Sequence, residues 1–599
     1  MPRSSRRCHS VAVEHLEPRR LLSAAFTNIN ISKLKGNQAE GAIAIDPVNP
    51  NLAFAVSNID TGDGLMVATS ADGGTIWSPR TIATDTDGLP PACCDCSAAF
   101  DSFGNLFLTY LNSTDNQVEL LLSTDAGISF SLVTQYSGNI DQPTVVTGPG
   151  SVWLDFDRGN SVSVTGAPVV ALGSVGMFQP LEQVPGSGNG QFGDIAVGSS
   201  GQVMVTWQTA GVPTSLIKVN VDPTGLGGKF NRTAITVGST NVTTFDYIPS
   251  QETRGIDAET GLAYDTSSDA YQGRVYLVYT NESPPASGNT DIFVRYSDNN
   301  GATWSAPARV NDDLGTNSQF LPRISLDSTS GQVAVSWYDS RNDTGTGSSG
   351  DTDQIPNDDA EFYAAVITPS ADGLFISPNQ QIAAAPSDAY DANSEIDFGD
   401  YTGLDFYNGN VHPLWFDNSN STNDNPNGTL NQLNAYTAVA PDSAFAAGPQ
   451  LDLGGLSDAG GPVASLTSVA GLNTGFIRSG RYYTITVTYS AGTDPSTLGN
   501  GNLLVTGPNG FSSPAQFTHV IKVRGLLRAT YRISKAAGNW TSADIGTYTI
   551  ALNSGSVADT SGNSAEGGTL GTFVVATGLA ARIREGSGGT RRHTRSGDD

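Results

Sequence analysis

A repeated pair of short strands constrains the fold of this chain more than any other feature. Each copy has a short apolar segment, a turn containing Asp or Gly, and an alternating segment that usually ends on an aromatic residue. The seven copies lie at 42–46 with 52–56, 97–101 with 106–110, 143–146 with 152–156, 194–197 with 203–207, 261–265 with 275–279, 323–327 with 333–337, and 402–405 with 411–415. Each is followed by another strand, a polar turn and a fourth strand. Four-stranded units of about 50 residues are typical of propeller blades, so the repeat predicts an all-β propeller.

The last repeat predicts how the ring of blades closes. It offers three strands, 401–406, 411–416 and 432–440, and the early segment 26–31 is free to supply the fourth. Mixing both ends of the chain in one blade would remove the exposed edges of an open sheet. We therefore predict seven blades over 26–445, with six as the alternative because the turns of the third and fourth units are degenerate.

Three polar turns in register with the strand repeat share the pattern Ser-x-(Asp/Asn)-x-Gly-x-x-aromatic. The Asp or Asn oxygen of such a turn accepts hydrogen bonds from backbone N–H groups, and the glycine takes a positive φ. The turns resemble the Asp-box, or BNR repeat, of sialidase-like proteins, where its role is structural. The residues concerned are Ser70, Asp72, Gly74, Trp77, Ser123, Asp125, Gly127, Phe130, Ser297, Asn299, Gly301 and Trp304.

The resemblance to the sialidase-like family extends through the predicted propeller and includes the segments 320–323, 336–341 and 398–404. It implies exo-α-sialidase chemistry, in which three arginines surround the substrate carboxylate, a tyrosine nucleophile pairs with a glutamate, and an aspartate serves as acid and base. The first blade has 38–43 where the family's enzymes usually carry an arginine motif, so a non-catalytic role stays open.

Strand order indicates which arginines could meet, because the fourth-to-first and second-to-third connections share one face of a propeller. That face is expected to carry Arg158, Arg254, Arg323 and Arg341, and the last three are the best candidates for a shared site. The planar fork of an arginine binds a carboxylate through two hydrogen bonds, so these three are the predicted triad. The alternative is ion pairing with nearby acids, namely Asp257, Asp339 or Asp343.

A tyrosine nucleophile needs a base nearby, because its unperturbed pKa is about 10. Tyr401, beside Asp400 and after Glu395, is one candidate, and Tyr247, near Glu252, is another. Each tyrosine could instead fill a blade core. The predicted catalytic residues are Arg254, Arg323, Arg341, Tyr401, Asp400 and Glu252.

The segment 339–361 is rich in acidic residues among Gly and Ser. Calcium takes six to eight oxygen ligands in flexible geometry, so such a loop could bind it, although the spacing is not that of an EF-hand. The predicted ligands are Asp343, Asp351, Asp353 and Asp358, with a plain acidic loop as the alternative. No other cofactor is expected.

The cysteines are too few and too clustered for a disulfide framework. Cys93, Cys94 and Cys96 crowd one loop, and Cys8 lies near the N-terminus. A zinc site needs about four ligands, which this spacing does not complete. We expect either a local Cys93–Cys96 bridge or unpaired thiols.

Both ends of the chain differ from the repeat. Residues 13–24 resemble the LEPR-XLL segment that opens many bacterial surface proteins, so 1–25 are expected to direct export to the cell surface or beyond. After a linker at 446–460, evenly spaced alternating strands over 461–576 predict a β-sandwich and resemble bacterial Ig-like modules. The Gly- and Arg-rich tail 577–599 is expected to be disordered.

Charge narrows the choice of partner. The chain has 30 basic and 58 acidic residues, a net charge of −28, which disfavours nucleic acid. It has no run of about 18 apolar residues, so no membrane-spanning helix is predicted. The expected partner is an extracellular glycan or glycoprotein. Three functions stay open, namely hydrolysis of a terminal sialic acid, non-catalytic binding by a surface propeller, and lyase or glucanase action on another polysaccharide.

Overall fold

The chain forms two compact units, Met1–Pro449 and Gln450–Asp599. The computed structural model describes residues 26–60, 64–113, 116–313, 315–347, 351–370, 373–392, 394, 396–445, 464–470, 482–489, 493–523, 526–534, 544, 546–560, 564–565 and 568–575. The predicted targeting segment 1–25, the linker 446–460 and the tail 577–599 lie outside the described residues, as do Cys8 and Glu395. The helices among the described residues are single 3₁₀ turns, and none could cross a membrane.

The first unit is built from antiparallel strands and one short 3₁₀ helix, Asp442–Phe445. Its strands are β1 (Ile29–Asn30), β2 (Gln38–Ile45), β3 (Ala53–Ile59), β4 (Leu65–Ser70), β5 (Ser78–Ile82), β6 (Ala92–Phe100), β7 (Leu106–Asn112), β8 (Gln117–Ser123), β9 (Ser131–Ser137), β10 (Ile140–Gly148), β11 (Ser151–Arg158), β12 (Val162–Ala171), β13 (Ser174–Val175), β14 (Glu182–Gln183), β15 (Gly190–Val197), β16 (Val203–Thr209), β17 (Ser215–Asp222), β18 (Ile235–Thr240), β19 (Asp246–Ile248), β20 (Gln251–Ile256), β21 (Gly261–Tyr264), β22 (Val275–Glu282), β23 (Thr290–Ser297), β24 (Ala308–Arg309), β25 (Gln319–Leu326), β26 (Val333–Asp339), β27 (Asp359–Ser370), β28 (Gly373–Ile376), β29 (Gln380–Gln381), β30 (Ser387–Asp388), β31 (Gly403–Tyr407), β32 (Asn410–Asp417), β33 (Asn434–Thr437) and β34 (Ala440–Pro441).

Apart from the two-stranded β19–β20 hairpin, these strands form seven sheets that follow one another around a ring. Blade I is β2–β5, blade II β6–β9, blade III β10–β14, blade IV β15–β18, blade V β21–β24, blade VI β25–β30, and blade VII β31–β34 with β1. The first strand of each blade contacts the first strand of the next, and β31 of the last blade contacts β2 of the first. The described part of the unit is therefore a seven-bladed propeller, as predicted, and the six-bladed alternative is wrong.

Blade VII closes the ring with strands from both ends of the unit, as the sequence predicted. Strand β1 pairs antiparallel with β33, with Ile29 opposite Thr437 and Asn30 opposite Tyr436. Asn30 is buried, and its Nδ2 donates to Asn434 Oδ1 at 2.9 Å while its Oδ1 accepts from Lys33 N at 3.0 Å. The closing contact is thus made by side chains as well as by the strand ladder.

The three Asp-box turns connect third and fourth strands. In blade II, Ser123 Oγ accepts from Gly127 N at 2.8 Å and Asp125 Oδ1 accepts from Ser129 N at 2.8 Å. Blade I repeats this arrangement with Ser70 and Asp72, and blade V with Ser297 and Asn299. The glycines of these turns have φ of +87°, +87° and +80°, in the region that other residues rarely adopt.

The second unit contains two four-stranded antiparallel sheets. Its strands are β35 (Ala464–Ala470), β36 (Tyr482–Tyr489), β37 (Leu503–Gly507), β38 (Phe511–Pro514), β39 (Gln516–Val523), β40 (Leu526–Ser534), β41 (Gly546–Leu552) and β42 (Gly568–Val575), with 3₁₀ turns at Pro495–Thr497 and Pro508–Gly510. One sheet has the order β35-β36-β40-β39 and the other β38-β37-β41-β42. Buried Tyr489, Tyr531 and Tyr548 belong to one core shared by both sheets, so this unit is a β-sandwich.

We expect Asn30→Ala to lower the free energy of unfolding of the full chain by about 2–3 kcal/mol. The substitution leaves Asn434 Oδ1, in a buried side chain, and the Lys33 N–H without the hydrogen bonds that Asn30 makes, and such a loss costs about 1–3 kcal/mol for a buried group. Urea unfolding followed by tryptophan fluorescence would measure it. The matched control is Asn410→Ala in β32 of the same sheet, whose described side-chain hydrogen bond is one local contact to Asn408 O. Equal losses in both variants would contradict a special role for the closing strand.

Candidate functional site

The inner strands of most blades are interrupted at the same level by a bulge. The pairing register shifts in β2, β6, β10, β15 and β25, each time just before the regular inner segment begins. One residue of each bulge has a positive φ between +46° and +58°, and Glu259, two residues before β21, has +40°. We call the side chains at this level the central ring, which consists of Glu40, Asp95, Gln142, Phe192, Glu259, Leu321 and, at the matching position before β31, Tyr401. Bulges of this kind re-aim side chains, and backbone held in such a conformation costs about 1–3 kcal/mol per residue.

A channel begins at the central ring and is lined by all seven inner strands. Its volume is about 380 Å³, and Asp194, Arg323 and Asp405 bring charged groups to its wall. A wider depression of about 690 Å³ lies between the Asp-box turns of blades I and II. The carboxylates of that depression, Asp46, Asp72 and Asp125, accept hydrogen bonds from backbone N–H groups of their own turns, so the central ring offers the richer chemistry.

Carboxyl groups dominate the central ring. Glu40 is 3% exposed; its Oε2 accepts from Asn58 Nδ2 and its Oε1 accepts from Asp400 N at 3.3 Å. Burial, together with the charge of Asp400, raises the pKa of Glu40 to about 7. Asp95 lies beside Glu40, and burial and the charge of Glu40 raise its pKa well above 3.8. Both groups therefore keep their protons to a higher pH than an exposed carboxylate does.

Arg254 reaches this ring from the β19–β20 hairpin, which lies between blades IV and V in sequence. Its Nε donates to Asp400 Oδ1 at 2.6 Å, and its second guanidinium nitrogen donates to Asp400 Oδ2. The guanidinium also lies 4.6 Å from the centre of the Phe245 ring, which packs edge-on against Phe192. Asp400 is 5% exposed and Arg254 33%, so Arg254 is the member of the pair that meets solvent.

The hairpin is fixed to the segment that carries Asp400. Asp397 Oδ2 accepts from the backbone N–H groups of Thr253 and Arg254 at 2.9 Å. Gln251 accepts from Phe398 N at 2.8 Å and donates to Gly399 O at 2.9 Å. These contacts bring the hairpin and the start of blade VII together into one wall of the site.

Arg323 and Tyr401 lie on the other side of Asp400. Arg323 Nη1 donates to Glu259 Oε1 at 3.1 Å, and its guanidinium carbon lies 5.5 Å from the centre of the Tyr401 ring. Tyr401 is 8% exposed, and its hydroxyl donates to Cys96 O at 3.5 Å. Burial raises the pKa of Tyr401 further above 10, so its phenolate is hard to form and the side chain is a poor nucleophile.

The other predicted catalytic residues lie apart from this cluster. Arg341 donates to Asp339 at 2.7 Å and to Asp312 at 2.8 Å, and it stacks on Tyr363. Among the described residues Arg341 therefore shares no partner with Arg254 or Arg323, and each of the three guanidinium groups pairs with an acid of its own instead of converging on one carboxylate. The ion-pair alternative fits better, although Arg254 pairs with Asp400 rather than with Asp257.

The alternative tyrosine also stands away from the buried groups. Tyr247 is 59% exposed, and Glu252 is exposed on the neighbouring strand of the hairpin. The described residues show no hydrogen bond between Tyr247 and Glu252. Of the predicted catalytic residues, the structure brings Arg254, Arg323, Asp400 and Tyr401 into one neighbourhood, and the prediction did not include the buried acids Glu40, Asp95 and Glu259. A signal was present, since Glu40, Asp95 and Glu259 each stand two residues before the regular inner segment of their blade.

The cysteine pairing also differs from the prediction. Cys93 and Cys94, adjacent at the start of β6, form the disulfide, and Cys96 is a free buried thiol. A Cys93–Cys96 bridge is wrong because the bulge turns Cys96 into the core, where its Sγ donates to Glu40 O at 3.2 Å. Cys93 and Cys94 are half-buried and pack against blade III.

The acidic loop between β26 and β27 offers two groups of carboxylates that could hold a metal ion. Asp343, Asp351 and Asp359 form one group, and Asp353, Asp358 and Asp359 form the other. Within each group one oxygen per residue lies within 4.8 Å of the others. All four residues predicted as calcium ligands belong to these groups, and Asp359 joins both.

No known family model and no curated protein sequence matches this chain. Among solved structures, the GH93 α-L-arabinofuranosidase of Fusarium graminearum has a TM-score of 0.36 and 10% identity, over 52% of this chain and 92% of the other. The phage phi92 endosialidase has a TM-score of 0.38 and 10% identity over 94% and 89%. A PL25 ulvan lyase has 0.39 and 8% over 69% and 96%. Similarity this weak assigns no activity to the chain.

We expect Asp155→Asn to stabilise the protein at pH 8 and to change it little at pH 4. Asp155 is 1% exposed, neither oxygen accepts a hydrogen bond from the described residues, and burial together with Asp194 and Asp157 raises its pKa well above 3.8. When the pKa of a carboxyl group is higher in the folded than in the unfolded protein, its contribution to the stability of the fold is fully present below the unfolded-state pKa. That contribution is lost as the pH rises from the unfolded-state pKa towards the folded-state pKa. Asn does not titrate and so avoids that loss, and we expect the Tm of the variant at pH 8 to be a few degrees higher than that of the unaltered chain.

The control for this comparison is Asp85→Asn at an exposed position. Calorimetry of both variants at pH 4 and pH 8 would separate the effect of burial from that of the amide. A Tm change in Asp155→Asn that is the same at both pH values would contradict the assignment of a neutral buried acid.

Proposed function

We propose that the face around the central ring processes a glycan by acid and base catalysis, with Glu40 as the proton donor and Asp400 as its carboxylate partner. The observation that carries this proposal is the Glu40–Asp400 pair. The Asp400 backbone N–H contacts Glu40 Oε1, burial keeps Glu40 protonated up to about pH 7, and Arg254 holds Asp400 through two hydrogen bonds. Glycosidic bond cleavage usually needs two carboxyl groups, one that gives a proton and one that accepts a proton, and Glu40 with its raised pKa suits the first role.

In the proposed reaction Glu40 loses one proton and Asp400 gains one. Glu40 transfers its proton to the glycosidic oxygen as the bond from that oxygen to the anomeric carbon breaks. Asp400 has an oxygen lone pair beyond those that accept from Arg254 and Gln142, and it takes a proton from the water whose oxygen bonds to the anomeric carbon. Glu40 ends as a carboxylate and Asp400 as an acid, and exchange with solvent restores both.

Exposed aromatic side chains around Arg254 supply a surface for sugar rings. Phe245 is 48% exposed and Tyr247 59% exposed on the hairpin side, and Tyr390, 65% exposed, precedes the segment that the hairpin contacts. Aromatic rings combine a large apolar face with a polar edge, which suits the mixed surface of a sugar. These three residues are the proposed binding platform.

Electrostatics favour a neutral glycan over an acidic one. Arg254 already pairs with Asp400 and Arg323 with Glu259, so neither arginine is free to attract an acidic sugar unless it gives up its partner. A second candidate is a sialic acid, because Arg254 and Arg323 flank residues 400–401 from two sides, and a sugar carboxylate could take the place of Asp400 or Glu259 as their partner. The sialidase-like activity expected from the Asp-box resemblance rests on this second arrangement.

We expect Glu40→Gln to reduce kcat/KM on the cleaved glycan by about 10²–10⁴, the usual contribution of a positioned acid. The assay would offer the full chain a panel of neutral polysaccharides and a fluorogenic α-sialoside, with reducing ends and fluorescence as readouts. The matched control is Glu182→Gln in blade III, because the Glu182 carboxylate forms an ion pair with Lys229 away from the central ring. Turnover by Glu40→Gln equal to that of the control would rule out Glu40 as the acid. Cleavage of the sialoside alone, lost in Arg254→Ala and in Arg323→Ala, would select the second candidate.

The pH profile of the unaltered chain provides a separate check. Because Glu40 must be protonated, kcat/KM should fall about tenfold for each pH unit above its pKa of about 7. In Glu40→Gln, the residual kcat/KM should not fall in this way and should stay constant above pH 7. A profile that rises between pH 7 and pH 9 would contradict the proton-donor role.

A further inference from the structure

We propose that the loop between β26 and β27 binds one calcium ion at Asp359, the carboxylate shared by two ligand groups, one with Asp343 and Asp351 and the other with Asp353 and Asp358. In each group the separation of the oxygens suits one ion. Calcium–oxygen distances are about 2.3–2.6 Å, so two oxygens on the same ion lie at most about 5 Å apart. One oxygen from each of Asp343, Asp351 and Asp359 lies within 4.8 Å of the others, and the same holds for Asp353, Asp358 and Asp359.

Backbone and hydroxyl groups already hold these carboxylates in place. Asp343 Oδ2 accepts from the N–H groups of Asp358 at 2.7 Å and Asp359 at 3.1 Å. Asp351 accepts from Thr346 N at 2.6 Å and from Gly347 N at 2.9 Å. Because the loop is tied to its own acids in this way, an ion would meet oxygens that need little rearrangement.

An unsatisfied buried oxygen points into the same cluster. Asp358, a member of the second ligand group, is 9% exposed, and its Oδ1 accepts no hydrogen bond from the described residues. A buried carboxylate oxygen without a donor is rare in folded proteins, because its desolvation is not compensated. None of the ion pairs among the described residues includes an acid of 343–361, so no side-chain cation of those residues compensates the negative charge. A bound cation would satisfy this oxygen.

The donor set favours calcium over other cations. Every candidate ligand is an oxygen, and 342–361 contains neither His nor Cys, which zinc and copper prefer. Magnesium usually keeps several waters and takes one or two carboxylates in a strict octahedron, whereas this loop offers four or more carboxylates in irregular positions.

The loop contacts two segments beside the proposed active site, the β19–β20 hairpin and β30. Ser250, at the tip of the β19–β20 hairpin, donates to Asn357 O at 2.9 Å. Asp359 pairs with Asp388 where β27 and β30 meet, and Asp388 lies two residues before Tyr390. The ion would thus order the supports of Arg254 and Tyr390, but its binding does not depend on any catalytic activity.

The test is calcium titration of the full chain after removal of divalent cations. Isothermal titration should show one site per chain with Kd below about 10 μM, and 1 mM CaCl₂, about 100 times that Kd, should raise Tm by at least about 3 °C. Magnesium chloride at the same concentration should produce less than a third of that shift. Absence of both heat and Tm shift with calcium would overturn the proposal, and an equal response to magnesium would overturn the choice of calcium.

Variants then locate the site. Asp359→Asn removes the ligand common to both groups and should abolish the calcium-dependent Tm shift, and Asp351→Asn should weaken calcium binding at least tenfold. Asp391→Asn, an exposed acid nearby in sequence, is the control and should bind as the unaltered chain does. If Asp359→Asn does not fold, Asp351→Asn decides the question. Calcium binding that survives in the folded variants would overturn the assignment to this loop.

Discussion

The close approach of seven inner strands to one axis is the constraint on which the rest of the propeller depends. The contact between blades I and VII shows how tight it is. A Cβ atom on Gly41 would lie 2.7 Å from Val56 O and 2.7 Å from Leu414 Cδ2, and one on Gly403 would lie 3.1 Å from Gly41 O. Backbone atoms cannot move aside as side chains do, so only glycine fits where these strands meet.

The bulges resolve the same crowding at the upper end of the channel. A regular strand would send alternate side chains into the channel without interruption, whereas a residue in the left-handed region turns the chain and changes the direction of the next side chain. Glu40, Asp95 and Glu259 occupy these positions, so polar groups gather where the blades would otherwise bury apolar ones. The price is a set of carboxyl groups held away from water, and Arg254 and Arg323 neutralise only part of it.

The sequence predicted the blades well because their information is local and repeated. Alternating segments and Asp-box turns recur with the same order, and the three-stranded last repeat pointed to a partner strand at 26–31. The site was harder to predict. Strand order told which face Arg341 occupies but not how far from the axis it lies, and its acidic neighbours Asp312 and Asp339 come from separate segments. The acids of the ring were missed because a bulge reverses the side-chain direction without changing the pattern of apolar residues, as at Glu40 and Asp95.

The strand that closes the ring is also the first part of the propeller to leave the ribosome. Strand β1 ends at Asn30 and its partner β33 begins at Asn434, so some 400 residues must be synthesised before the two can pair. Blades I to VI can form sheets of their own during that time, but the assembly keeps one open edge on blade VII until both ends of the unit are present. Closure of the ring is therefore a late event, because it joins β1 and β33 across a long intervening chain. A chain halted before residue 437 would expose a strand edge that could pair with another molecule.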